Sequence, residues 1–483
     1  MHLGMVYKGY ELTGAAADLL SVPRYGAGSL VLHRAVFALV PPDHRALVAT
    51  HTLASVVSLL LLPAGLSYLL GRRPERGTAV VVAAFGLALL PQLVVDARSE
   101  SILTLGVAVL GVAWLGFAAW WEGQGGGRAL AVVALAVALA ATIRPELLVL
   151  GPAWLAAHAW VRRDTVGADV DRRARWRALA AALAAGAVLL VPHLLHLRAT
   201  TAEQVATGAL PPLDGRAVLR TVGVMAGGSA LFRPAIFPTF WLALLLFWAA
   251  PSLRAHGARA SLAMLALAVL ATGLVAIDLP DVSLPRLHAA AAALAVLGLA
   301  PAAVAAFARL RRRLPTAAAI GLLLTAAVAS AVPSWQARRA PTDEDAEDAL
   351  ARLAEDAMPA RGGCLLRLDD GDPPPQRVHR HFPDYRFLPP VRQARVLPLR
   401  AFRDRGALAG CERVVAVLGT RCWLHARDDA DRAGMLPLCA EVAALPGAEE
   451  RFTTTLPVRG TDGFGWAPQR ERWTLRLVAL PTR

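Results

Sequence analysis

The chain has 483 residues, 56% hydrophobic and 18% charged, with a mean hydropathy of +0.48. That is too apolar for an ordinary soluble protein. A net charge of +14 would suggest nucleic acid in a soluble chain, but most arginines here stand in short loops between apolar segments or in the tail, and aromatics at 6% offer few stacking platforms.

Residues 1–45 lack the charged, apolar and small-residue regions of a signal peptide. They hold Glu11 and Asp18, then Pro23-Arg24-Tyr25-Gly26, a short amphipathic stretch at 30–40, and Pro41-Pro42-Asp43. Ten apolar segments follow, at about 46–70, 77–95, 101–121, 129–143, 145–161, 178–196, 234–250, 260–278, 287–308 and 315–333. Most approach the 20 or so residues that span a bilayer. Their interiors read as nearly pure Ala, Leu and Val.

Arginines orient these segments. One set of turns carries Arg72, Arg73 and Arg76, then Arg128, then Arg162 through Arg177, then Arg254 and Arg259, then Arg309 through Arg313. The alternate turns carry few. The arginine-rich set is expected inside, which places residues 1–45 and the tail outside. A long outer loop, with its Leu-Arg-Thr-Val-Gly-Val-Met stretch at 219–225, suggests an interfacial helix.

The outer turns gather charge. Asp96, Arg98 and Glu100 form one group, Arg144 and Glu146 a second, and Asp278, Asp281, Arg286 and His288 a third. His193 and His196 share a helix face. Ionisable groups this close to hydrocarbon are functional candidates. Each histidine also fits a plain headgroup-level or interhelical hydrogen bond.

Residues 334–483 form a hydrophilic tail long enough to bury its own core. An acidic helix is expected from 343 to about 358, and strands at 364–368, 413–418 and 473–480. Asp369-Asp370-Gly371-Asp372 lacks the glutamate and spacing of an EF-hand. All four cysteines lie here: Cys364, Cys411, Cys422 and Cys439. None has CxxC spacing, so two disulfides in an oxidising compartment are expected, with the pairing open. This agrees with the side that the arginines assign. No Walker loop, GxSxG or HExxH is present.

Three segments carry a resemblance: Asp96-Ala97-Arg98-Ser99-Glu100-Ser101, Ala141-Thr142-Ile143-Arg144-Pro145-Glu146-Leu147-Leu148, and Leu284-Pro285-Arg286-Leu287-His288. In order and side, the chain resembles GT-C-type integral membrane glycosyltransferases of the family 39-like group, which includes protein mannosyltransferases and aminoarabinose transferases. The resemblance covers most of residues 1–333. It implies an α-helical polytopic membrane protein of about ten helices with a C-terminal α+β extracytoplasmic domain. It also implies transfer of a sugar from a polyprenyl-phosphate donor to an acceptor hydroxyl of a glycan, lipid or protein. The expected place is a bacterial inner membrane, with the tail periplasmic. Neither nucleotide cofactor nor nucleic acid is expected, and a divalent metal is left open. The candidate catalytic carboxylates are Glu11, Asp18, Asp96 and Glu100. Arg98, Arg144, Glu146, Arg286 and His288 are the candidates for holding the donor phosphate. The chain departs from the family pattern at its start: it opens inside what looks like the first outer loop, with no acidic pair there, and the expectation is either a true start further upstream or a lost first helix and base. The competing expectation is a protein that binds or flips a lipid-linked sugar, or a structural membrane protein.

Overall fold

The computed structural model describes residues 28, 32–33, 35–36, 38–40, 44–72, 76–90, 93–94, 97, 103–164, 172–206, 215–216, 218–219, 256–278, 288–312, 315, 318, 353–354, 357, 359, 362–368, 395–419, 422, 436–457 and 472–480. Eight long helices lead the described elements: α1 His44–Leu70, α2 Arg76–Ala88, α3 Leu103–Trp121, α4 Gly126–Ile143, α5 Leu147–Val161, α6 Arg172–Ala206, α7 His256–Asp278 and α8 Ala289–Arg311. The apolar segment at 234–250, nearly all of the one at 315–333, nearly all of the outer-loop stretch at 219–225 and most of the acidic helix lie outside the described residues.

By length and composition five described helices can cross a membrane: Val48–Leu70, Leu103–Trp121, Gly126–Ile143, Arg173–Leu195 and Gly257–Ile277. Arg76–Ala88, Leu147–Val161 and Ala289–Ala305 are shorter apolar helices. The second apolar segment thus gives a shorter helix than its sequence suggested, and the sixth a longer one. Large apolar side chains such as Leu53, Leu60, Phe85, Leu135, Val188 and Leu189 point outward. In water that surface would be costly; in hydrocarbon it is the solvent-matched face. Proline stands inside α1, α5, α6 and α8, as membrane helices tolerate.

Small residues let the helices close up. A Cβ on Gly65 of α1 would overlap the Trp114 indole of α3, and one on Gly298 of α8 would press on the Ser261 carbonyl of α7. The core they form runs through Leu62, Leu66, Leu110, Trp114, Leu150, Met264 and Leu294. The interiors are less uniformly apolar than the sequence reading held. His51, Ser58, Thr104, His158, Ser261 and Thr272 are all buried. The Trp114 indole N–H donates to Nδ1 of His158 at 2.9 Å, and the Ser58 and Thr272 hydroxyls bond back to carbonyls one turn earlier.

The tail folds as a mixed sheet. Its strands are β1 Gly363–Arg367, β2 Arg395–Pro398, β3 Arg413–Leu418, β4 Glu449–Pro457 and β5 Arg472–Leu480. Their order is β2-β1-β3-β5-β4. The first three run parallel; β5 and β4 join antiparallel. Alternate residues Cys364, Leu366, Val414, Ala416, Leu418, Val478 and Leu480 form one core with Cys439 and Val442 of α9 (Pro437–Ala443). The opposite row, Leu365, Val415, Val417 and Leu477, is buried too, as expected where parallel strands are covered on both faces. Cys364 pairs with Cys411 and Cys422 with Cys439, which resolves the pairing that the sequence left open.

The three strands expected from sequence are β1, β3 and β5. The two it missed, β2 and β4, are the sheet's edges. Edge strands carry charge and proline to discourage pairing with other chains, and both depart from apolar alternation for that reason: Arg395 and Pro398 in β2, Glu449-Glu450-Arg451 in β4.

Candidate functional site

Chain direction sorts the helix ends into two groups. At one end stand the C-termini of α1, α3, α5 and α8 with the N-termini of α2, α4, α6 and α7. Here Arg162 bonds Glu122, with Nε to Oε1 at 3.0 Å. It also fills the space beside Gly71, whose φ of +65 ends α1 in the left-handed region where a Cβ would collide with the guanidinium. Arg175 donates to the Trp121 carbonyl, and Arg259 to Asp164. This is the arginine-rich end.

The opposite end holds the candidate site. Pro145 forces the residue before it out of helical geometry, and Arg144 is accordingly extended at φ −145, ψ 129, closing α4 with its N–H on the Ala140 carbonyl. Glu146 is already helical and opens α5. The turn brings the two side chains together: Arg144 Nε donates to Glu146 Oε1 at 2.6 Å, with each side chain 6% exposed. His288, just before α8, is 1% exposed. These three residues share a small pocket with Leu103 and Val107 of α3, Leu147 and Leu150 of α5, Ala271 and Val275 of α7, and Ala290 and Ala291 of α8. Glu146 Oε2 and both ring nitrogens of His288 are buried with no hydrogen-bond partner among the described residues.

Two more elements reach this end. The Thr52 hydroxyl of α1 donates to the Ala97 carbonyl at 2.6 Å, which ties Ala97 to the first turns of α1. Gly28 packs so close to α4 that a Cβ there would overlap Thr142 and the Leu139 carbonyl. His33 lies edge-on to His51 of α1, ring centroids 5.2 Å apart, both rings buried. Sequence reading did not single out that pair. Its one signal was a histidine inside an otherwise apolar segment.

Of the candidate residues, Arg144, Glu146 and His288 are therefore brought together. Glu11, Asp18, Asp96, Arg98, Glu100 and Arg286 lie outside the described residues, as do Asp281 and the side chains of Asp278 and His196. Among the described residues no group of three or more His, Cys, Asp or Glu is arranged to hold a metal ion.

The chemistry available is specific. A guanidinium oriented by a carboxylate is a fixed cation in a low-dielectric wall, where charge acts far more strongly than in water. The carboxylate keeps one oxygen free to accept, and an imidazole can both donate and accept.

No protein-family model matches the chain, and no curated protein matches it. Among solved structures it is similar to the crystal structure of ArnT from Cupriavidus metallidurans in the apo state, with a TM-score of 0.49 and 15% identity over 99% of this chain and 93% of that one. That likeness is one of overall shape and says nothing of the side chains at the site.

Proposed function

We propose that this protein is a membrane glycosyltransferase that moves a sugar from a polyprenyl-phosphate donor to an acceptor hydroxyl, at the outer end of its helical bundle. The observation that supports this best is the buried Arg144–Glu146 pair beside His288 at one end of a bundle whose outward surface is apolar. Charges are retained at membrane depth only against a large cost, and function is the usual reason.

The reaction breaks the bond between the anomeric carbon and the phosphate oxygen and forms one from that carbon to the acceptor oxygen. The acceptor's proton goes to a carboxylate, for which Glu11, Asp18, Asp96 and Glu100 are the candidates. Negative charge gathers on the departing polyprenyl phosphate. Arg144 supplies a fixed cation there, with Arg98 and Arg286 as further candidates. A lipid-linked donor enters sideways from the bilayer, which suits a pocket at the head of an apolar bundle.

Orientation follows the arginines. With the arginine-rich end in the cytoplasm, the polar end faces outward. The apolar segment at 315–333 then carries the chain back across, so that the disulfide-bearing tail shares the outer side.

The test is a transfer assay on membranes containing the protein, supplied with labelled polyprenyl-phosphate hexoses and pentoses. Wild type is expected to transfer label, and Arg144→Ala and Glu100→Gln to fall far below it. Binding of the lipid without any transfer would replace this reading with lipid-linked-sugar binding or flipping.

A further inference from the structure

The polar groups around the pocket do not all suit a phosphate. Glu146 uses Oε1 to hold Arg144, and the pair is close to neutral. Its Oε2 remains, buried and unpartnered among the described residues, together with Nδ1 and Nε2 of His288. Buried acceptors left unmet are rare in native proteins, and each calls for a partner. The rest of the pocket wall is Leu, Val and Ala, which supplies none.

The partner's chemistry follows from what these groups offer. An ionised carboxylate only accepts hydrogen bonds; a neutral imidazole gives one donor and one acceptor. A phosphate has only acceptor oxygens and would set its charge against Glu146. An ammonium only donates, and would bury a second cation beside Arg144, whose charge Glu146 already balances. A hydroxyl donates one hydrogen bond and accepts others, without adding charge. It can donate a hydrogen bond to Glu146 Oε2 and accept one from His288.

We propose that the Glu146–His288 pocket is a recognition subsite for one hydroxyl of the transferred sugar, with the donor phosphate held outside it. This rests on the polyprenyl-phosphate-sugar reading above and divides the roles within it: Glu146 and His288 select the sugar, while Arg144, on the same pocket wall, is left for the phosphate. Glu146 is thus both a contact to the sugar and the positioning residue for Arg144.

The experiment compares lipid binding by the full chain in nanodiscs. The probes are bare polyprenyl phosphate, polyprenyl-phosphate hexoses and pentoses, and their monodeoxy analogues. Wild type is expected to bind one sugar-bearing lipid best and to lose about tenfold to a hundredfold in affinity when one particular hydroxyl is removed, the range for a hydrogen bond to a charged group. Glu146→Gln and His288→Ala should each shrink that difference severalfold. Ala291→Leu removes no polar group and narrows the pocket; it should weaken the sugar-bearing lipid and spare the bare one. Thermal unfolding identifies any variant that fails to fold, and the remaining variants then decide. Discrimination unchanged in the folded variants overturns the subsite and leaves a pocket filled by a structural water. Wild-type binding of bare and sugar-bearing lipids alike overturns the subsite but spares lipid binding. No binding of any of these lipids by wild type overturns the donor reading and the subsite with it.

Discussion

The two ends of the bundle spend their charges differently. At the arginine-rich end Arg162 meets Glu122, Arg259 meets Asp164 and Arg175 caps the Trp121 carbonyl. Aromatic rings add to this packing, with Arg175 5.8 Å from the ring centroids of both Trp120 and Trp121. At the opposite end Glu146 Oε2 and the nitrogens of His51 and His288 are buried without partners among the described residues. A satisfied network rigidifies; an unsatisfied one is poised for something to complete it. On the proposed function, the contrast separates charges that hold helices together from polar groups that await a ligand.

Arg144→Ala should break that contrast most severely. Losing a fixed cation from the developing phosphate charge is expected to cut transfer by about a hundredfold to a thousandfold. The same change leaves Glu146 buried and uncompensated, at a cost of about 3–5 kcal/mol of stability. Replacing both partners instead, as Arg144→Met/Glu146→Leu, should recover most of the stability and none of the transfer. Thermal unfolding and transfer measured on the same samples separate the two effects, and an active double variant would refute the site.

The tail tests which end faces an oxidising compartment. Cys364–Cys411 closes a separation of 47 residues and Cys422–Cys439 one of 17. On the chain-entropy account these stabilise the tail by about 4 and about 3 kcal/mol, so Cys364→Ser/Cys411→Ser should cost more than Cys422→Ser/Cys439→Ser. Alkylation in intact cells should modify these cysteines only after reduction. Labelling without reductant would put the tail, and with it the polar end, on the reducing side.

Arg162→Ala should have a smaller effect and of the other kind. Its side chain is 9% exposed and that of Glu122 29%, so the loss of the pair lies below the 3–5 kcal/mol of a fully buried one, at about 2 kcal/mol. Transfer per folded molecule should stay near wild type. A large loss of transfer at unchanged stability would mean that the arginine-rich end takes part in chemistry.

Much of this contrast was legible in the sequence, because arginine placement and apolar run length are direct readouts of the bilayer. The Arg144-Pro145-Glu146 turn was legible for a local reason: proline ends the helix at the residue before it, so the two flanking charges must project from one turn. The meeting of that turn with His288 was not legible, since 142 or more residues and several membrane crossings separate them, and only the packing of α5 and of α8 on their shared neighbours α7 and α3 closes the gap. His51 and His158 were hidden for the opposite reason. A single polar residue barely alters the hydropathy of its segment, and only its buried neighbours, His33 and Trp114, show what it does. In the tail, the edge strands β2 and β4 escaped because charge there serves against aggregation and erases the alternation by which a strand is recognised.

The smallest effect sharpens the contrast from outside the bundle. Arg403, in the short helical turn Leu399–Arg403, bonds Glu441 of α9 in the tail, with Nε to Oε1 at 3.1 Å. Both side chains are substantially exposed, at 58% and 43%. The hydrogen bond from Arg403 holds the Glu441 carboxyl below its ordinary value of 4.5. A carboxylate with a depressed value in the folded state adds stability that is whole above its unfolded value and fades as pH falls through the folded one. The contribution of this pair should therefore begin to fade as pH falls below about 4.5 and be gone once it lies below the depressed folded value. Water and salt screen it, and high ionic strength should erase it at neutral pH as well. Arg162 is buried and Glu122 only partly exposed, so raised salt should narrow the stability gap between wild type and Arg403→Ala more than the gap to Arg162→Ala. Equal salt sensitivity of the two would show that the arginine-rich end is as open to water as the tail's surface, and its charges would then lose their claim to be a packed, structural network.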